Sequence, residues 1–187
     1  MSASKRDDLV QNALKAFNRG GYHAIGMDKL ATETGVSKTA IYKHFRTKED
    51  LIVATLRLRD EQFRNWMVRR VEALASEPKG QLLAAFDALA EWFREPDFQS
   101  CMFIKASSEY QDRAHPIHAT AAEHKRLLLQ YLSKLAHAAG VEDAEALAHQ
   151  LLILTEGAIV LAHLHDPETA VTNARAAAKT LIDQALI

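Results

Sequence analysis

The segment from Met27 to Lys48 constrains the fold of this chain more than any other. Residues 27–34 have the spacing of a short amphipathic helix, and Gly35 follows where a helix can end in the left-handed conformation, which glycine adopts without a side-chain clash. Ser37 is placed to cap a second helix, because its hydroxyl can accept a hydrogen bond from a backbone N–H group that lacks a partner within the helix. The segment therefore predicts two short helices joined by a tight turn, which is a helix-turn-helix.

The second of these helices has a buried face and a basic face. Ile41 and Phe45 are four residues apart and share the face that we expect to be buried, whereas Thr39 and Lys43 lie on roughly the opposite face. Residues 34–48 contain four basic side chains and no acidic one, which suits a helix that enters the major groove of DNA. We expect Thr39 and Lys43 to reach base edges and Tyr42 and His44 to reach phosphates. The predicted DNA-binding residues are Ser37, Lys38, Thr39, Ala40, Tyr42, Lys43, His44 and Lys48.

Lys48 lies at the start of another predicted helix. Thr47 is the expected N-cap, and Asp50 follows three residues later, as in a weak capping box. A helix N-terminus has free N–H groups and a partial positive charge, so a lysine beside it makes a favourable phosphate site.

A set of residues in the first quarter of the chain follows a known pattern. It comprises Phe17, Gly21-Tyr22, Met27-Asp28-Lys29-Leu30-Ala31, Gly35-Val36-Ser37, Ile41-Tyr42-Lys43-His44-Phe45 and Lys48-Glu49-Asp50-Leu51. With this set the segment resembles the N-terminal DNA-binding domain of the TetR family of transcriptional regulators. Gly26 departs from the pattern, since the family usually has a serine or threonine there that caps the second helix and often contacts a phosphate. We expect Asp28 to take part of the capping role.

The resemblance implies partners as well as a fold. It implies a homodimer on a palindromic double-stranded DNA operator, and a small-molecule effector in a cavity enclosed by the helices that follow. Symmetry favours the same arrangement, because a single helix-turn-helix reads few base pairs and two-fold partners can read a palindrome.

Composition predicts an all-α protein. Of the 187 residues 48% are apolar, and seven glycines and four prolines leave room for long helices. The chain lacks the sustained alternation of apolar and polar residues that marks strands. We expect about nine helices, with an N-terminal three-helix helix-turn-helix domain over residues 1–47 and a helical effector-binding and dimerisation domain over residues 48–187.

Charge and cysteine content bear on location. The net charge is −1, but residues 1–50 have a balance of +3 and the remainder a balance of −4, which favours DNA contact at the basic end. We find no signal peptide and no apolar run near the roughly 18 to 20 residues of a membrane span, so we expect a cytoplasmic protein without membrane contact. The single cysteine, Cys101, excludes an internal disulfide and fits a reducing compartment.

The two C-terminal helices have the composition of an interface. The eighth is apolar nearly all round and the ninth is rich in alanine, so that helix axes could approach closely. We predict a four-helix interface between two copies, and the alternative is that these residues form core within one chain. The predicted interface residues are Leu151, Thr155, Ala158, Leu161, Ala174, Ala177, Ala178 and Leu181.

Residues in the fifth to eighth helices are candidates for an effector pocket, because a ligand site combines apolar lining with a few converging polar groups. Glu156 stands out, since a carboxylate in an apolar helix is costly unless it is paired. The alternative for Glu156 is a salt bridge or partial exposure, and for the aromatic residues it is plain core packing. The candidates are Trp92, Phe93, Met102, Phe103, Glu109, Tyr110, His124, Leu128, Tyr131, Glu156 and His163.

Other functions find little support in the sequence. The nine histidines form no metal-ligand pattern, Cys101 has apolar neighbours that suggest an inert buried thiol, and we expect no metal or cofactor. We find no phosphate loop and no nucleophile–base pair, which argues against an enzyme. We expect a transcriptional regulator that is a repressor relieved by a ligand, and the alternative is a DNA-bound regulator controlled by a protein partner.

Overall fold

A computed structural model of the protein describes residues 4–186. Within this range the chain forms nine α-helices and no strand, which confirms the predicted all-α class. The helices are α1 (Lys5–Gly20), α2 (Met27–Thr34), α3 (Lys38–His44), α4 (Lys48–Leu74), α5 (Pro78–Phe93), α6 (Met102–Glu109), α7 (Pro116–Ala138), α8 (Ala144–Leu164) and α9 (Pro167–Ala185).

Local sequence signals account for most helix ends. Ser4 and Asp7 form a reciprocal capping box at the start of α1, and the Asp143 and Asp166 carboxylates cap α8 and α9. Pro78 and Pro167 occupy the first turns of α5 and α9, where a missing N–H group costs nothing. These caps fix the residues at which the helices begin.

The described residues pack as two compact units. The first contains the chain up to Phe63 together with Met102–His124. Its interior is built from α1, α2, α3 and the first part of α4, and each side chain of this size contributes about 1.5–3 kcal/mol by leaving water. The side chains that are at most 1% exposed in it include Leu9, Phe17, Tyr22, Ile25, Leu30, Ile41, Leu51, Ile52 and Leu56.

The second unit contains Arg64–Cys101 and the chain from Lys125 onward. Here α8 packs against both α9 and α5, and small residues such as Ala148 and Ala178 are fully buried at these contacts. Arg175 on α9 donates two hydrogen bonds to the Asp87 carboxylate on α5, at 2.7 and 3.2 Å. This ion pair is partly exposed, so it contributes far less to stability than the apolar contacts.

The expectation that no apolar run is long enough for a membrane span was wrong for α8. Among the described residues this helix, Ala144–Leu164, meets the requirement by length and composition, with a mean hydropathy of 1.5. Core helices of soluble proteins meet it too, and 39% of its apolar window is buried inside the protein. Packing against α5 and α9 accounts for the buried apolar residues of α8, whereas Ile153, Leu161 and Leu164 remain exposed.

The turn between α2 and α3 depends on Gly35. Its φ of 68° and ψ of 19° are left-handed, and its N–H group donates to the carbonyls of Ala31 and Thr32. The Val36 N–H group also donates to the Ala31 carbonyl, at 3.2 Å. These bonds use carbonyls that the end of α2 would otherwise leave without partners, so the turn fixes the direction in which α3 starts.

We expect the Gly35→Ala variant to be less stable by about 1–2 kcal/mol, because an L side chain is strained at a positive φ. Urea unfolding at a fixed protein concentration measures the change. Gly26→Ala is the matched control, since neither glycine has an atom within 4 Å of an added Cβ but Gly26 has a φ of −77°. An equal loss of stability in both variants would show that the positive φ is not the cause.

Candidate nucleic-acid interface

Helix α3 has the buried side and the exposed side that the sequence predicted. Its cap is Ser37, whose Oγ accepts a hydrogen bond from the Ala40 N–H group at 3.2 Å. Ile41 and Phe45 are buried, whereas Thr39 and Lys43 are exposed on the other side of the helix. The cap and the buried pair are confirmed, and together they fix which side chains of α3 face outward.

The exposed side of α3 carries polar groups suited to DNA. Thr39, Tyr42, Lys43 and His44 are all exposed, while Ala40 is half-buried. Within residues 4–186 Lys43 has no ion-pair partner, so its ammonium group is free to contact a base edge or a phosphate. Thr39 and Lys43 are four residues apart and therefore lie one above the other on the helix surface.

Lys38 differs from Lys43 because it is paired. Its Nζ lies 2.5 Å from Asp28 Oδ1, and both side chains are well exposed. Asp28 was expected to help cap α2, but the N-cap position, Gly26, receives no side-chain cap bond and the carboxylate instead pairs with Lys38. The expectation for Asp28 was wrong, because a lysine on the neighbouring helix lies within reach of its carboxylate. A DNA phosphate would have to compete with Asp28 for Lys38.

Lys48 lies at a capped helix start. Asp50 N–H donates to Thr47 Oγ1 at 3.0 Å and Thr47 N–H donates to Asp50 Oδ2 at 3.2 Å, which confirms the capping box. Lys48 Nζ donates to the His23 carbonyl at 3.5 Å, and burial lowers the pKa of Lys48. Lys48 is therefore held beside the N-terminus of α4, where a phosphate would meet both an ammonium group and free N–H groups.

Five candidate pocket residues lie in the first unit, and the polar ones have partners there. Glu109 accepts hydrogen bonds from the backbone of Tyr22 and His23, and Tyr110 stacks on the His23 ring. His124 Nδ1 lies 2.7 Å from Asp60 Oδ1, and the His124 ring stacks on Phe103. The fifth, Met102, is buried and accepts a hydrogen bond from the Tyr22 hydroxyl through its carbonyl.

The other six candidates lie in the second unit. Trp92 and Phe93 are buried and surround Phe98 at ring distances of 5.0 Å, and His163 lies 6.3 Å from the Phe98 ring. Phe98 was not among the predicted residues, because its position two residues after Pro96 gives no periodic signal. Leu128 is half-buried.

Glu156 is paired, which was the alternative that the sequence left open. Lys125 Nζ lies 2.7 Å from Glu156 Oε1 and 3.3 Å from Cys101 Sγ. Each of the two charged side chains is about a quarter exposed, so the pair is only partly shielded from water. Lys125 was missed because lysines are expected at the surface and their partners cannot be read from spacing.

Tyr131 is the candidate whose environment fits a ligand best. Its hydroxyl is buried and has no hydrogen-bond partner, one of two such side-chain atoms found in the described range. Burial, helped by the negative charge of Glu72, raises the pKa of Tyr131 to about 12. The hydroxyl is therefore neutral at physiological pH, with a hydrogen-bond donor that no protein atom uses. No cluster of His, Cys, Asp or Glu that could hold a metal occurs among the residues described.

Comparison with family profiles assigns both parts of the chain. Residues 9–55 match the family described as bacterial regulatory proteins of the tetR family, and residues 78–178 match the tetracyclin repressor-like C-terminal domain. The second match alone covers more than half of the chain. The first contains α2 and α3, so the matched segment includes the whole exposed face of α3.

Curated proteins and solved structures agree with these matches. The chain is 24% identical over 155 residues to the transcriptional regulator YjdC of Escherichia coli, covering 83% of this chain and 81% of YjdC. It is 27% identical over 191 residues to the regulator BetI of Escherichia coli, covering all of this chain and 96% of BetI. It is similar to the crystal structure of a TetR-family transcriptional regulator from Streptomyces coelicolor, with a TM-score of 0.91, 28% identity and 97% and 90% of the two chains covered.

We expect Lys43→Ala to change which DNA sequences the protein prefers. A base contact from this side chain is worth about 1–3 kcal/mol of discrimination, and its loss should relax the preference at the contacted base pair. Binding to a randomised operator library, read by sequencing, measures the change. Lys15→Ala, which removes an exposed lysine of α1, is the charge-matched control. An unchanged preference in Lys43→Ala would mean that this lysine does not read bases.

Lys48→Ala should weaken binding to all DNA sequences by a similar factor. A phosphate contact carries no sequence information, and its loss should lower the slope of log affinity against log salt by about one unit. Fluorescence anisotropy with specific and random DNA across a salt series measures both quantities. A loss confined to specific DNA, at an unchanged slope, would contradict the phosphate contact.

Proposed function

The chain belongs to the TetR family of bacterial regulatory proteins, and on this premise we propose that it is a repressor that binds a palindromic operator as a homodimer and is released by a small molecule. TetR-family regulators bind DNA through the helix-turn-helix and are not enzymes. A location in the cytoplasm, where the DNA target lies, belongs to the same proposal. We retain residues 1–47 and 48–187 as the proposed division between DNA binding and regulation.

The observation that carries the homodimer is an open apolar groove between α8 and α9. It has a volume of about 660 Å³ and its lining is mainly apolar. Ile153 and Leu161 line it and are 70% and 47% exposed, and Leu164, at the end of α8, is 64% exposed. Large exposed side chains that cluster on one face support an interface, because their burial against a second copy would remove them from water. A two-fold partner would present the same groove, as an isologous interface requires.

The exposed fraction of each predicted interface residue decides whether it can contribute to an interface. Leu151 and Ala178 are 0% exposed in the single chain, so they have no surface left to bury and we remove them from the proposed interface. Thr155 is buried as well, and its hydroxyl donates to the Leu152 carbonyl. Ala158 and Ala174 form part of the groove wall, Ala177 and Leu161 are exposed, and Leu181 is half-buried. Ala158 and Ala174 are only 2% and 8% exposed, so the same criterion removes them although they line the groove. Leu161, Ala177 and Leu181 remain from the predicted set, and the groove adds Ile153.

The buried hydroxyl of Tyr131 supports a small-molecule effector. A buried donor without a partner is costly, and a ligand that supplied an acceptor would recover that cost. We propose that the effector has an acceptor group for Tyr131 and an apolar part that packs on aromatic side chains of the second unit, with Trp92 and Phe93 as candidates.

We propose that the effector acts through α4. This helix spans 27 residues without a break, so it is about 40 Å long. Half-sites one DNA turn apart require the two recognition helices to lie about 34–36 Å apart, and a tilt of α4 would change that spacing. The effector weakens DNA binding if it binds more tightly to the arrangement of α4 in which the recognition helices fit DNA less well.

The proposal is tested by fluorescence anisotropy with DNA from upstream of the protein's own gene and with random DNA as control. Candidate effectors from native mass spectrometry of the purified protein are then added at saturation. Tight, sequence-dependent binding that an effector weakens supports the proposal. Equal affinity with and without every bound compound would contradict ligand relief and favour control by a protein partner.

We expect Leu161→Glu to weaken the dimer by about 100-fold or more, because the carboxylate would be buried without a partner in the apolar groove. Leu74→Glu is the matched control, since Leu74 is 39% exposed at the end of α4 and lies outside the groove. Sedimentation equilibrium over a concentration series measures the dissociation constant. A dimer of unchanged strength in Leu161→Glu would exclude the α8–α9 groove as the interface.

A further inference from the structure

The connection between α1 and α2, residues 21–26, is held by α6 at several points. Both elements belong to the first unit of the chain. The connection leads directly into α2, whose direction sets that of α3 through the turn at Gly35. A side chain that fixes this connection therefore acts on the placement of the DNA-binding helix without touching DNA.

The strongest contact comes from Glu109 at the end of α6. Its Oε1 accepts a hydrogen bond from Tyr22 N–H at 2.9 Å. Its Oε2 accepts from both Tyr22 N–H, at 3.1 Å, and His23 N–H, and lies 2.9 Å from His23 Nδ1. The Glu109 side chain is 26% exposed, so the bonds are partly shielded from water. Hydrogen bonds from N–H groups to a carboxylate are stronger than bonds between neutral groups.

Gly21 leaves the space that this contact needs. Its φ is +76°, and a Cβ added there would lie 3.0 Å from Glu109 Oε1, closer than ordinary contact. The backbone of the connection thus approaches the carboxylate at the position where the chain has no side chain. The glycine and the glutamate fit each other, although they are far apart in sequence.

Tyr22 and Lys105 make further contacts of α6 with the α1–α2 connection and with the end of α1. The Tyr22 ring is fully buried and its hydroxyl donates to the carbonyl of Met102, the first residue of α6, at 3.0 Å. Tyr22 is therefore bound to the first residue of α6 through its side chain and to the last residue, Glu109, through its backbone. Lys105 Nζ donates to the Asn18 carbonyl in the last turn of α1 at 3.0 Å.

We infer that Glu109 is a positioning residue for DNA recognition: it holds the α1–α2 connection on α6 and so fixes the placement of the helix-turn-helix. This assigns to Glu109 a role other than the effector contact expected from the sequence. The inference rests on the DNA binding of the family.

A glutamine cannot replace Glu109 in this role. Two backbone N–H groups point at the side chain, and a glutamine offers one acceptor oxygen and one donor NH₂ group. With the amide oxygen at the Oε2 position, which both N–H groups reach, the NH₂ group would take the Oε1 position and face the Tyr22 N–H donor, which lies 2.9 Å from that position. Specific DNA binding needs an accurately placed α3, whereas non-specific binding depends on charge near the phosphates. Replacing Glu109 with glutamine should therefore lower the affinity for specific DNA more than the affinity for random DNA.

The test compares Glu109→Gln with Glu61→Gln in the full-length protein. Glu61 is an exposed residue of α4 in the same unit, and its replacement makes the same change in charge. We expect Glu109→Gln to lower the affinity for the operator by about tenfold or more and to leave the affinity for random DNA unchanged or slightly higher, because the lost negative charge lies near Lys48. Glu61→Gln should bind both DNAs as the wild type does. An operator affinity of Glu109→Gln within twofold of Glu61→Gln would overturn the inference.

Amide hydrogen exchange separates positioning from general destabilisation. In Glu109→Gln the amides of Tyr22 and His23 should exchange faster, while the amides of α4 and α5 keep their protection. Equal acceleration across the chain, with equal losses for operator and random DNA, would show a merely structural role. If Glu109→Gln does not fold, Glu109→Asp decides, since it keeps the charge but draws the carboxylate back from the Tyr22 and His23 N–H groups and should lower operator affinity several-fold. An operator affinity of Glu109→Asp equal to that of the wild type would then overturn the inference.

The DNA-binding results distinguish a failure of the inference about Glu109 from a failure of the proposed function. A wild-type protein that binds operator and random DNA equally would refute sequence-specific regulation by that operator. A wild-type protein that binds the operator tightly, with Glu109→Gln equally tight, would refute only the role of Glu109.

Discussion

The burial of Tyr22 is the constraint on which the first unit depends. Its ring is 0% exposed and lies 5.5 Å from the Phe17 ring of α1. The ring also places the Tyr22 N–H group and hydroxyl where α6 accepts both. A single aromatic residue thereby joins α6 to the connection that leads into the helix-turn-helix.

The lysines at the DNA-binding end of the chain fall into two groups, according to whether each already has an oxygen partner. Lys38 and Lys48 already have oxygen partners, Asp28 and the His23 carbonyl, whereas Lys43 has none in the described part of the chain. A phosphate must replace an existing partner at the first two positions, which costs part of the energy gained. Lys43 meets no such competition, and this favours it as the residue that reads sequence.

The apolar residues of the two C-terminal helices lie both in the core of the chain and on its exposed surface. Apolar residues of α8 that face α5 and α9 are buried in the chain, and those on its other side, such as Ile153 and Leu164, remain exposed. A helix that is apolar all round has no periodic signal that distinguishes these sides. This is why the sequence indicated an interface in α8 and α9 but included Leu151 and Ala178, which the core already uses.

The sequence by itself determined the helix-turn-helix and the all-α class, because caps, breakers and the left-handed glycine act between neighbouring residues. Only the tertiary structure decided the partners of Glu109, Glu156 and Asp28. Glu109 and Tyr22 are 87 positions apart, and no local pattern encodes a hydrogen bond across that distance. Long-range packing places such side chains together, so their roles follow from the folded chain and not from spacing along it.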